Sequence, residues 1–345
     1  MVGMLALGIA LVGSGVSAAG VAGAATLARQ SCTRMVSRPV DVASALGAAR
    51  AGDVLCFTGK NLAAADLVLT RSGTAAAPVS LVADGAAVHR IAVAANNVLV
   101  QGFTVAGGDE LLLQGSGITA RHNTVRDTQR GGIICDPCFG SSIDSNTVRR
   151  AAQVGIFITG QRIAVTGNDV SATVPRGTSD ADGIRFLGDG HRIIGNTIHD
   201  IYAAGYADPP HPDCFQTFES NDVATFDVVI SKNSCQRVDA QCLIASADRT
   251  GNSGAPAGVR TVTFLANICS VGGAQAVNLR HWPNAEVRGN RITGRHMYRG
   301  ILAVEGSTGC RIVDNTTGAG IRPVEVDNSS LPGCVVSGNG SRARP

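Results

Sequence analysis

Residues 206–216 of this 345-residue chain concentrate side chains that can transfer protons. They are Tyr206, Asp208, His211 and Asp213, and Gln216 adds a neutral amide that can donate or accept hydrogen bonds. An imidazole titrates near neutral pH and suits a general base, whereas a phenol or a carboxyl group can donate or accept a proton. Carboxylates are also the ligands that Ca²⁺ prefers. The segment is therefore a candidate site for acid–base chemistry.

Further polar side chains stand at related positions before and after this segment. Asp182 and Arg185 precede it, and the residues that follow are Gln241, Asn278, Arg280 and His281. Carboxylates, guanidinium groups and an imidazole in one groove suit an extended polar ligand. Each residue also has a structural interpretation. The aspartates can accept hydrogen bonds from loop amides, Arg185 can pair with an aspartate, and His211 can stiffen a proline-rich loop.

A repeated asparagine predicts the framework that positions these side chains. It opens a short apolar phrase at nine places, separated by 23, 22, 28, 37, 34, 23, 25 and 24 residues: Asn123, Asn146, Asn168, Asn196, Asn233, Asn267, Asn290, Asn315 and Asn339. A period in the low twenties is typical of a solenoid with one coil per repeat. Stacking buries the apolar side of each coil, and the asparagines can hydrogen-bond along the stack. We predict an all-β fold, a single-stranded right-handed parallel β-helix.

Alternation along the strands predicts which residues point into the coil. The inward residues are Ile184, Phe215, Leu243, Val277 and Ile301. Two outward rows follow, the first made of Asp182, Asp213, Gln241, Gln275 and Arg299, the second of Arg185, Gln216, Ile244, Asn278 and Leu302. The three longest spacings place extra loops near 171–180, 201–212 and 245–258. We expect these loops to wall a groove over the polar rows.

The ends of the chain have distinct compositions. Residues 1–28 carry no charge and resemble a signal peptide or a membrane anchor. Residues 40–50 have apolar side chains at helical spacing and predict a short helix that caps the first coil. We predict one β-helix domain over residues 29–340 and a tail over 341–345. The expected location is secreted or at the cell surface.

Ten cysteines agree with an oxidising compartment. Spacing and repeat register predict the pairs Cys32–Cys56, Cys135–Cys138, Cys214–Cys242, Cys235–Cys269 and Cys310–Cys334. Equivalent positions on stacked coils lie about 4.8 Å apart, which is within disulfide range. Cys214 and Cys242 can also be buried small residues, because other coils place Gly183, Ala276 and Gly300 there.

Charge and composition restrict the classes of molecule that this chain is expected to bind. A net charge of +3 gives no nucleic-acid footprint. Nothing in the sequence indicates an obligate protein partner, and we expect a monomer.

Residues 40–82 resemble the start of many right-handed parallel β-helix (pectin-lyase-like) enzymes that act on polysaccharides. Two further segments resemble particular families of polysaccharide-modifying enzymes. Residues 273–290, with Leu279-Arg280-His281, are similar to the Leu-Arg-His-Gly segment of the chondroitinase B and alginate lyase family. The resemblance implies a catalytic Arg280 with His281 beside it. That family places a lysine base about one coil earlier, where this chain has none. Lys232 stands about one coil too early.

The second segment is Tyr206-Ala-Asp-Pro-Pro-His-Pro-Asp213. It is similar to the Tyr-Gly-Phe-Asp-Pro-His-Asp motif of β-helix mannuronan C5-epimerases, although the extra prolines change the spacing. The resemblance implies functional roles for Tyr206, Asp208, His211 and Asp213.

Both families neutralise a uronate carboxylate and then remove the C5 proton. Arg185, Arg280 and Gln216 are candidates to neutralise that charge. A Ca²⁺ ion held by Asp182, Asp208 and Asp213 is the alternative. His211 is the candidate base, and Tyr206 is the candidate donor to the leaving oxygen. Substrate-binding roles fall to Asp182, Gln216, Gln241, Asn278 and His281.

The resemblances imply a secreted lyase that cleaves an acidic, uronate-containing polysaccharide by β-elimination. Three alternatives stay open. A C5-epimerase shares the first step. A glycoside hydrolase needs two carboxylates, drawn from Asp182, Asp208 and Asp213. A glycan-binding surface protein needs only the polar groove.

Overall fold

The structure is a computed structural model that describes residues 31–176, 180–220, 223–248 and 254–342. Its contacts divide the chain into Met1–Ser31 and Cys32–Pro345. The expected signal peptide or anchor at 1–28 lies outside the described residues. Within the described part of the chain, no helix is long and apolar enough to cross a membrane.

Strands between Arg34 and Ser341 form three parallel sheets, and from Asp66 onward each coil contributes one strand to sheet B, then one to sheet A, then one to sheet C. Sheet A contains Arg34–Val36, Val54–Phe57, Val79–Ala83, Val98–Gln101, Thr119–Arg121, Ser142–Asp144, Ala164–Thr166, Arg192–Ile194, Val228–Ser231, Val262–Leu265, Glu286–Arg288, Arg311–Val313 and Val335–Ser337. Sheet B contains Asp66–Leu69, Arg90–Ala94, Leu111–Ser116, Ile133–Phe139, Val154–Gln161, Asp182–Phe186, Phe215–Phe218, Leu243–Ser246, Gln275–Arg280, Arg299–Val304 and Arg322–Val326. Sheet C contains Ala87–Val88, Thr104–Ala106, Thr124–Arg126, Thr147–Arg149, Asp169–Ser171, Thr197–Ile201, Ser234–Val238, Ile268–Val271, Arg291–Gly294, Thr316–Thr317 and Gly340–Ser341. The predicted parallel β-helix is confirmed.

The interior is filled by the side chains that alternation predicted. Ile184, Phe215, Leu243, Val277 and Ile301 are all fully buried. The residue directly before each of these also faces the interior, where little space is left for a side chain. A Cβ on Gly183 would stand 2.6 Å from Ile198 Cγ2, so only glycine fits that coil.

The asparagine column forms a continuous ladder. From Asn123 to Asn339 each Nδ2 donates to the Oδ1 of the next asparagine, at 2.9–3.1 Å. The residue before each asparagine adopts a left-handed conformation with φ between 53° and 67°, at His122, Ser145, Gly167, Gly195, Lys232, Ala266, Gly289, Asp314 and Gly338. This residue turns the chain from sheet A to sheet C, and the asparagine then satisfies buried backbone groups of neighbouring coils.

The first coils are closed by aromatic and helical packing. Phe103 occupies the ladder position one coil before Asn123, and its N–H donates to Asn123 Oδ1 at 3.0 Å. Its ring lies 5.4 Å from that of Phe57. The predicted capping helix spans Pro39–Gly47 and packs on Asp66–Leu69. At the other end, strand Gly340–Ser341 pairs with Thr316–Thr317, so the last coil extends one residue into the expected tail.

Five disulfides use all ten cysteines, and two of the predicted pairs are wrong. Cys32–Cys56, Cys135–Cys138 and Cys310–Cys334 are confirmed. Cys214 pairs with Cys235 and Cys242 with Cys269, in place of Cys214–Cys242 and Cys235–Cys269. Register neighbours such as Cys235 and Cys269 point the same way from parallel strands. The observed partners face each other across one coil, from sheet B to sheet C, with Cα atoms 6.1 and 5.9 Å apart.

Candidate functional site

Non-repeating loops flank the middle of sheet B on both sides. Between sheets C and B, residues 172–181 and 202–214 connect successive coils, and between sheets B and A the connections are 219–227 and 247–261. These segments match the three predicted loops and add a fourth. The parts numbered 177–179, 221–222 and 249–253 lie outside the described residues. A rigid sheet between long loops is where binding and catalytic residues usually stand.

His211 and Asp213 form a hydrogen-bonded pair at the end of the 202–214 loop. His211 Nδ1 lies 3.0 Å from Asp213 Oδ2. The imidazole is 56% exposed, whereas the carboxylate is fully buried. The other carboxylate oxygen, Oδ1, accepts the N–H of Gln241 on the next coil at 2.8 Å. The aspartate therefore holds the ring in place, and Nε2 is left as the outer nitrogen of the imidazole.

Asp182 repeats this arrangement one coil earlier, with Arg185 as its partner. Its Oδ1 accepts the N–H of Asp213 at 2.9 Å, and its Oδ2 accepts two bonds from the Arg185 guanidinium. Arg185 Nη2 also contacts Asp180 Oδ2 at 3.1 Å, and the guanidinium lies over the Phe218 ring at 5.9 Å. We call Asp182, Arg185, His211 and Asp213 the His211 cluster.

The burial of these carboxylates departs from the expectation for an outward row. Asp182 and Asp213 have 0% exposure, and one oxygen of each is bound by the side chain of Arg185 or His211. The predicted backbone-binding interpretation of the two aspartates is confirmed, as is the Arg185 ion pair. The cluster thus combines structural bonds with a partly exposed guanidinium and a partly exposed imidazole.

Burial and close contact shift the acidities of the cluster. Burial, with the neighbouring Asp213, raises the pKa of Asp182 to about 7, outweighing the opposite effect of Arg185. Burial also raises the pKa of Asp213. The hydrogen bond to Asp213 raises the pKa of His211 above its ordinary value of 6.5. Perturbed groups that share one cleft are typical of functional sites.

Arg280 and His281 stand apart from the His211 cluster. Arg280 Nε and His281 Nε2 both lie 2.7 Å from Glu305 Oε2. Their strand, Gln275–Arg280, is two places along sheet B from Phe215–Phe218, which is a step of about 10 Å. Sequence reasoning did not single out Glu305, Asp180 or Phe218, since none belongs to a repeated position or to a recognised motif.

The remaining candidates differ in their surroundings. Gln216 and Asn278 share the Arg185 row of sheet B, with Ile244 between them. Gln241 Oε1 and Asn278 Oδ1 are buried without a hydrogen-bond partner among the described residues. Tyr206 and Asp208 are exposed on the 202–214 loop, and neither side chain bonds to another described residue.

The candidate Ca²⁺ ligands do not fit a resident metal ion. All four oxygens of Asp182 and Asp213 already accept hydrogen bonds from the protein. Among residues 31–176, 180–220, 223–248 and 254–342, no three or more His, Cys, Asp or Glu side chains form a group that could hold a metal ion.

Comparisons with known proteins agree with this architecture. No curated protein matches the chain in sequence. An alginate lyase from Paenibacillus sp. str. FPU-7 is 16% identical, with 90% of this chain and all of that chain covered and a TM-score of 0.47. A PL6 family polysaccharide lyase from Pseudopedobacter saltans is 13% identical, with 83% and 63% covered and a TM-score of 0.42.

A tailspike protein mutant of E. coli bacteriophage HK620, solved in complex with a pentasaccharide, is also similar. It is 13% identical and has a TM-score of 0.55, with 88% of this chain and 61% of the tailspike chain covered. The chain thus spans less than two thirds of the tailspike protein. At such identities the likeness is one of fold.

The protein family described as "Right handed beta helix region" matches this chain over residues 131–317, which is more than half of its length. The matched stretch contains the His211 cluster, the four long connections that flank sheet B, and seven of the nine ladder asparagines, from Asn146 to Asn315. The chain belongs to the right-handed parallel β-helix family.

Proposed function

We propose that this chain is a carbohydrate-active enzyme that cleaves a uronate-containing polysaccharide by β-elimination. The observation that carries the proposal is the His211–Asp213 pair, in which a buried carboxylate orients a half-exposed imidazole above sheet B. A neutral imidazole that donates Nδ1–H to Asp213 keeps the lone pair of Nε2 free. His211 is then the base that removes the C5 proton, in the place of the lysine that is missing.

Arg185 neutralises the uronate carboxylate in this proposal. Its Nε and Nη2 are bound by Asp182 and Asp180, whereas Nη1 donates to no residue that the structure describes. The guanidinium is fixed in position and retains N–H groups for a ligand. Neutralising the carboxylate makes the C5 proton acidic, because the developing enolate charge is stabilised.

The other candidates take positions along the polymer. Tyr206 lies on the loop that carries His211, and it donates a proton to the leaving oxygen at C4. Gln216 and Asn278 bind sugar hydroxyls on the floor of sheet B, and Arg280 with His281 meets sugars about two strands further on. The C5–H bond breaks, a C4–C5 double bond forms, and the C4–O bond breaks.

A hydrolase receives less support from the same geometry. Hydrolysis requires two carboxylates that face the glycosidic bond. Asp182 and Asp213 are fully buried, and each of their oxygens is bound within the protein. A C5-epimerase shares the first step and would use the same His211 and Arg185, so its product distinguishes it.

Extracytoplasmic location is part of the proposal. Five disulfides in a chain of this length are typical of oxidising compartments. The tailspike protein with a related fold was solved with a bound pentasaccharide, which agrees with a glycan as ligand.

The test is ultraviolet absorbance of the full chain mixed with polygalacturonate, alginate, hyaluronan and chondroitin. A new band from a 4,5-unsaturated uronate supports β-elimination and identifies the polymer. New reducing ends without that band refute the lyase and favour a hydrolase. Incorporation of solvent deuterium at C5 without cleavage supports the epimerase. Binding with none of these changes refutes the enzyme and leaves a glycan-binding protein.

A further inference from the structure

A groove lies where sheet C turns into sheet B, outside the His211 cluster. It has a volume of about 560 Å³, within the range of small-molecule sites. Three successive coils form its floor, so it extends about 10 Å along the axis of the β-helix. The polar side chains that line it are Tyr202, Arg237, Asp239, Ser270, Thr293, Arg295 and His296. We call it the Tyr202 groove.

One edge of the groove is held by a network around Asp200. Arg237 Nε and Nη2 donate to the two oxygens of Asp200 at 2.5 and 2.8 Å, and the Tyr202 hydroxyl donates to Oδ1 at 2.8 Å. His199 Nδ1 lies 2.6 Å from Oδ2. Arg237 and then His199 hold the pKa of Asp200 well below its usual range. Tyr202 and Arg237 are therefore fixed before any ligand arrives.

The rest of the groove offers both donors and acceptors. Among the described residues, no carboxylate pairs with Arg295 or with His296, and both side chains are exposed. Asp239 uses Oδ2 to accept the N–H of Ala203 at 2.8 Å. The groove therefore presents a free guanidinium, an imidazole, a carboxylate and two hydroxyls. Such a mixture matches the hydroxyl and carboxylate groups of sugars better than a purely apolar or purely anionic molecule.

The aromatic residues point to the same ligand class. The chain has three tyrosines, and all three lie in connections from sheet C to sheet B. Tyr202 is 46% exposed and lines the groove, and Tyr298 is 74% exposed two residues after His296. Exposed tyrosine rings present an apolar face beside a polar hydroxyl, which suits the C–H faces and hydroxyls of a pyranose.

We propose that the Tyr202 groove is a glycan-binding subsite that holds a stretch of the polymer away from the reacting sugar. The inference rests on the proposed function for the identity of the polymer. The two sites share one loop, since Tyr202 begins the 202–214 connection and His211 stands near its end. A long polymer can occupy both sites, whereas a short oligosaccharide occupies the His211 cluster alone. The groove therefore favours long chains without entering the chemical step.

The test compares Arg295→Ala with Arg291→Ala. Arg291 is an exposed arginine at the start of strand Arg291–Gly294, which Arg295 directly follows, and it does not line the groove. Affinity electrophoresis of each full-length protein in gels that contain polygalacturonate, alginate, hyaluronan or chondroitin gives the dissociation constants. Loss of a charged hydrogen bond predicts roughly tenfold weaker binding for Arg295→Ala. The control Arg291→Ala should bind as tightly as the wild type. Tyr298→Ala, at a highly exposed site, is the second test variant and should weaken binding in the same gels.

Turnover separates this subsite from the reaction site. The substrates are the polymer that gives unsaturated products and its trisaccharide. Arg295→Ala should raise KM for the polymer without changing kcat, and it should leave both kcat and KM for the trisaccharide unchanged. Equal losses on polymer and trisaccharide overturn a separate subsite. The subsite is also overturned if Arg295→Ala and Tyr298→Ala both bind with wild-type affinity, or if the wild type binds in none of the gels. Binding that depends on Arg295 but comes without turnover refutes the lyase and supports the subsite. Turnover that Arg295→Ala does not change supports the lyase and refutes the subsite.

Discussion

The His211 imidazole rests on a carboxylate that solvent cannot reach: Nδ1 lies 3.0 Å from Oδ2 of the fully buried Asp213. A second pair, His89 and Asp66, has nearly the same separation of 2.8 Å, but both of its side chains are about half exposed. The difference lies in desolvation. A buried partner fixes the tautomer of the ring and interacts with it more strongly than one in water.

Replacing His211 should therefore abolish most turnover. We expect His211→Ala to lower kcat by about 10²–10⁴, the usual contribution of a positioned base. His89→Ala removes the histidine of the half-exposed pair with Asp66 and should leave kcat unchanged. The measurement is the rate of ultraviolet absorbance on the polymer that the panel identifies. Full activity in His211→Ala would exclude it as the base.

The pH profile should show the effect of Asp213. Its hydrogen bond raises the pKa of His211, and a base acts only when it is unprotonated. The value of kcat/KM should rise with pH and level off above 6.5, the ordinary value for histidine. In Asp213→Asn the pKa of His211 falls, so the acidic limb moves to lower pH. The plateau also drops, because the amide oxygen stays bound to the N–H of Gln241 and the NH₂ that replaces Oδ2 donates to Nδ1, which leaves the proton of His211 on Nε2. An unmoved limb would contradict the pairing.

Sequence patterns predicted the features that repeat, and they missed those that do not. The inward row from Ile184 to Ile301 and the asparagine ladder follow from a period that every coil obeys. The burial of Asp182 depends on Arg185 and on a loop that occurs once. Glu305, which binds both Arg280 and His281, stands one coil later and belongs to no motif. Single contacts of this kind have no periodic signal.

Asp182 should make stability depend on pH. Burial, with Asp213, raises its pKa to about 7 in the folded chain. The stabilisation that its proton provides is complete below about pH 4, the unfolded value, and is lost as the pH rises through about 7. Asp182→Asn cannot titrate, so between these limits the wild type should lose roughly a few kcal/mol relative to the variant. Urea unfolding at several pH values measures the difference. Parallel curves would refute the raised pKa.

Peptide mapping can check the two corrected disulfides. Proteolysis without reduction should release peptides that link Cys214 to Cys235 and Cys242 to Cys269. Removing the second bond with Cys242→Ser and Cys269→Ser should cost roughly 3–4 kcal/mol, given a sequence separation of 27 residues. Peptides that link Cys235 to Cys269 would restore the pairing between stacked coils.

The ladder offers a test of burial, because two of its asparagines make similar bonds at different depths. Asn233 donates to Asn267 and to Ile193 O, both at 3.0 Å, and accepts the N–H of Asn196 at 2.7 Å. Asn339 ends the ladder with a similar set of bonds, but it is only half-buried.

Truncating each asparagine to alanine should therefore have unequal effects. Asn233→Ala leaves several buried groups without partners and should cost about 2–4 kcal/mol. At Asn339→Ala water replaces the lost bonds, and the cost should be about 1 kcal/mol or less. Urea midpoints give the two values, provided that the m-value stays constant. Equal losses would show that the ladder stabilises through its geometry at every coil, whether or not water can reach it.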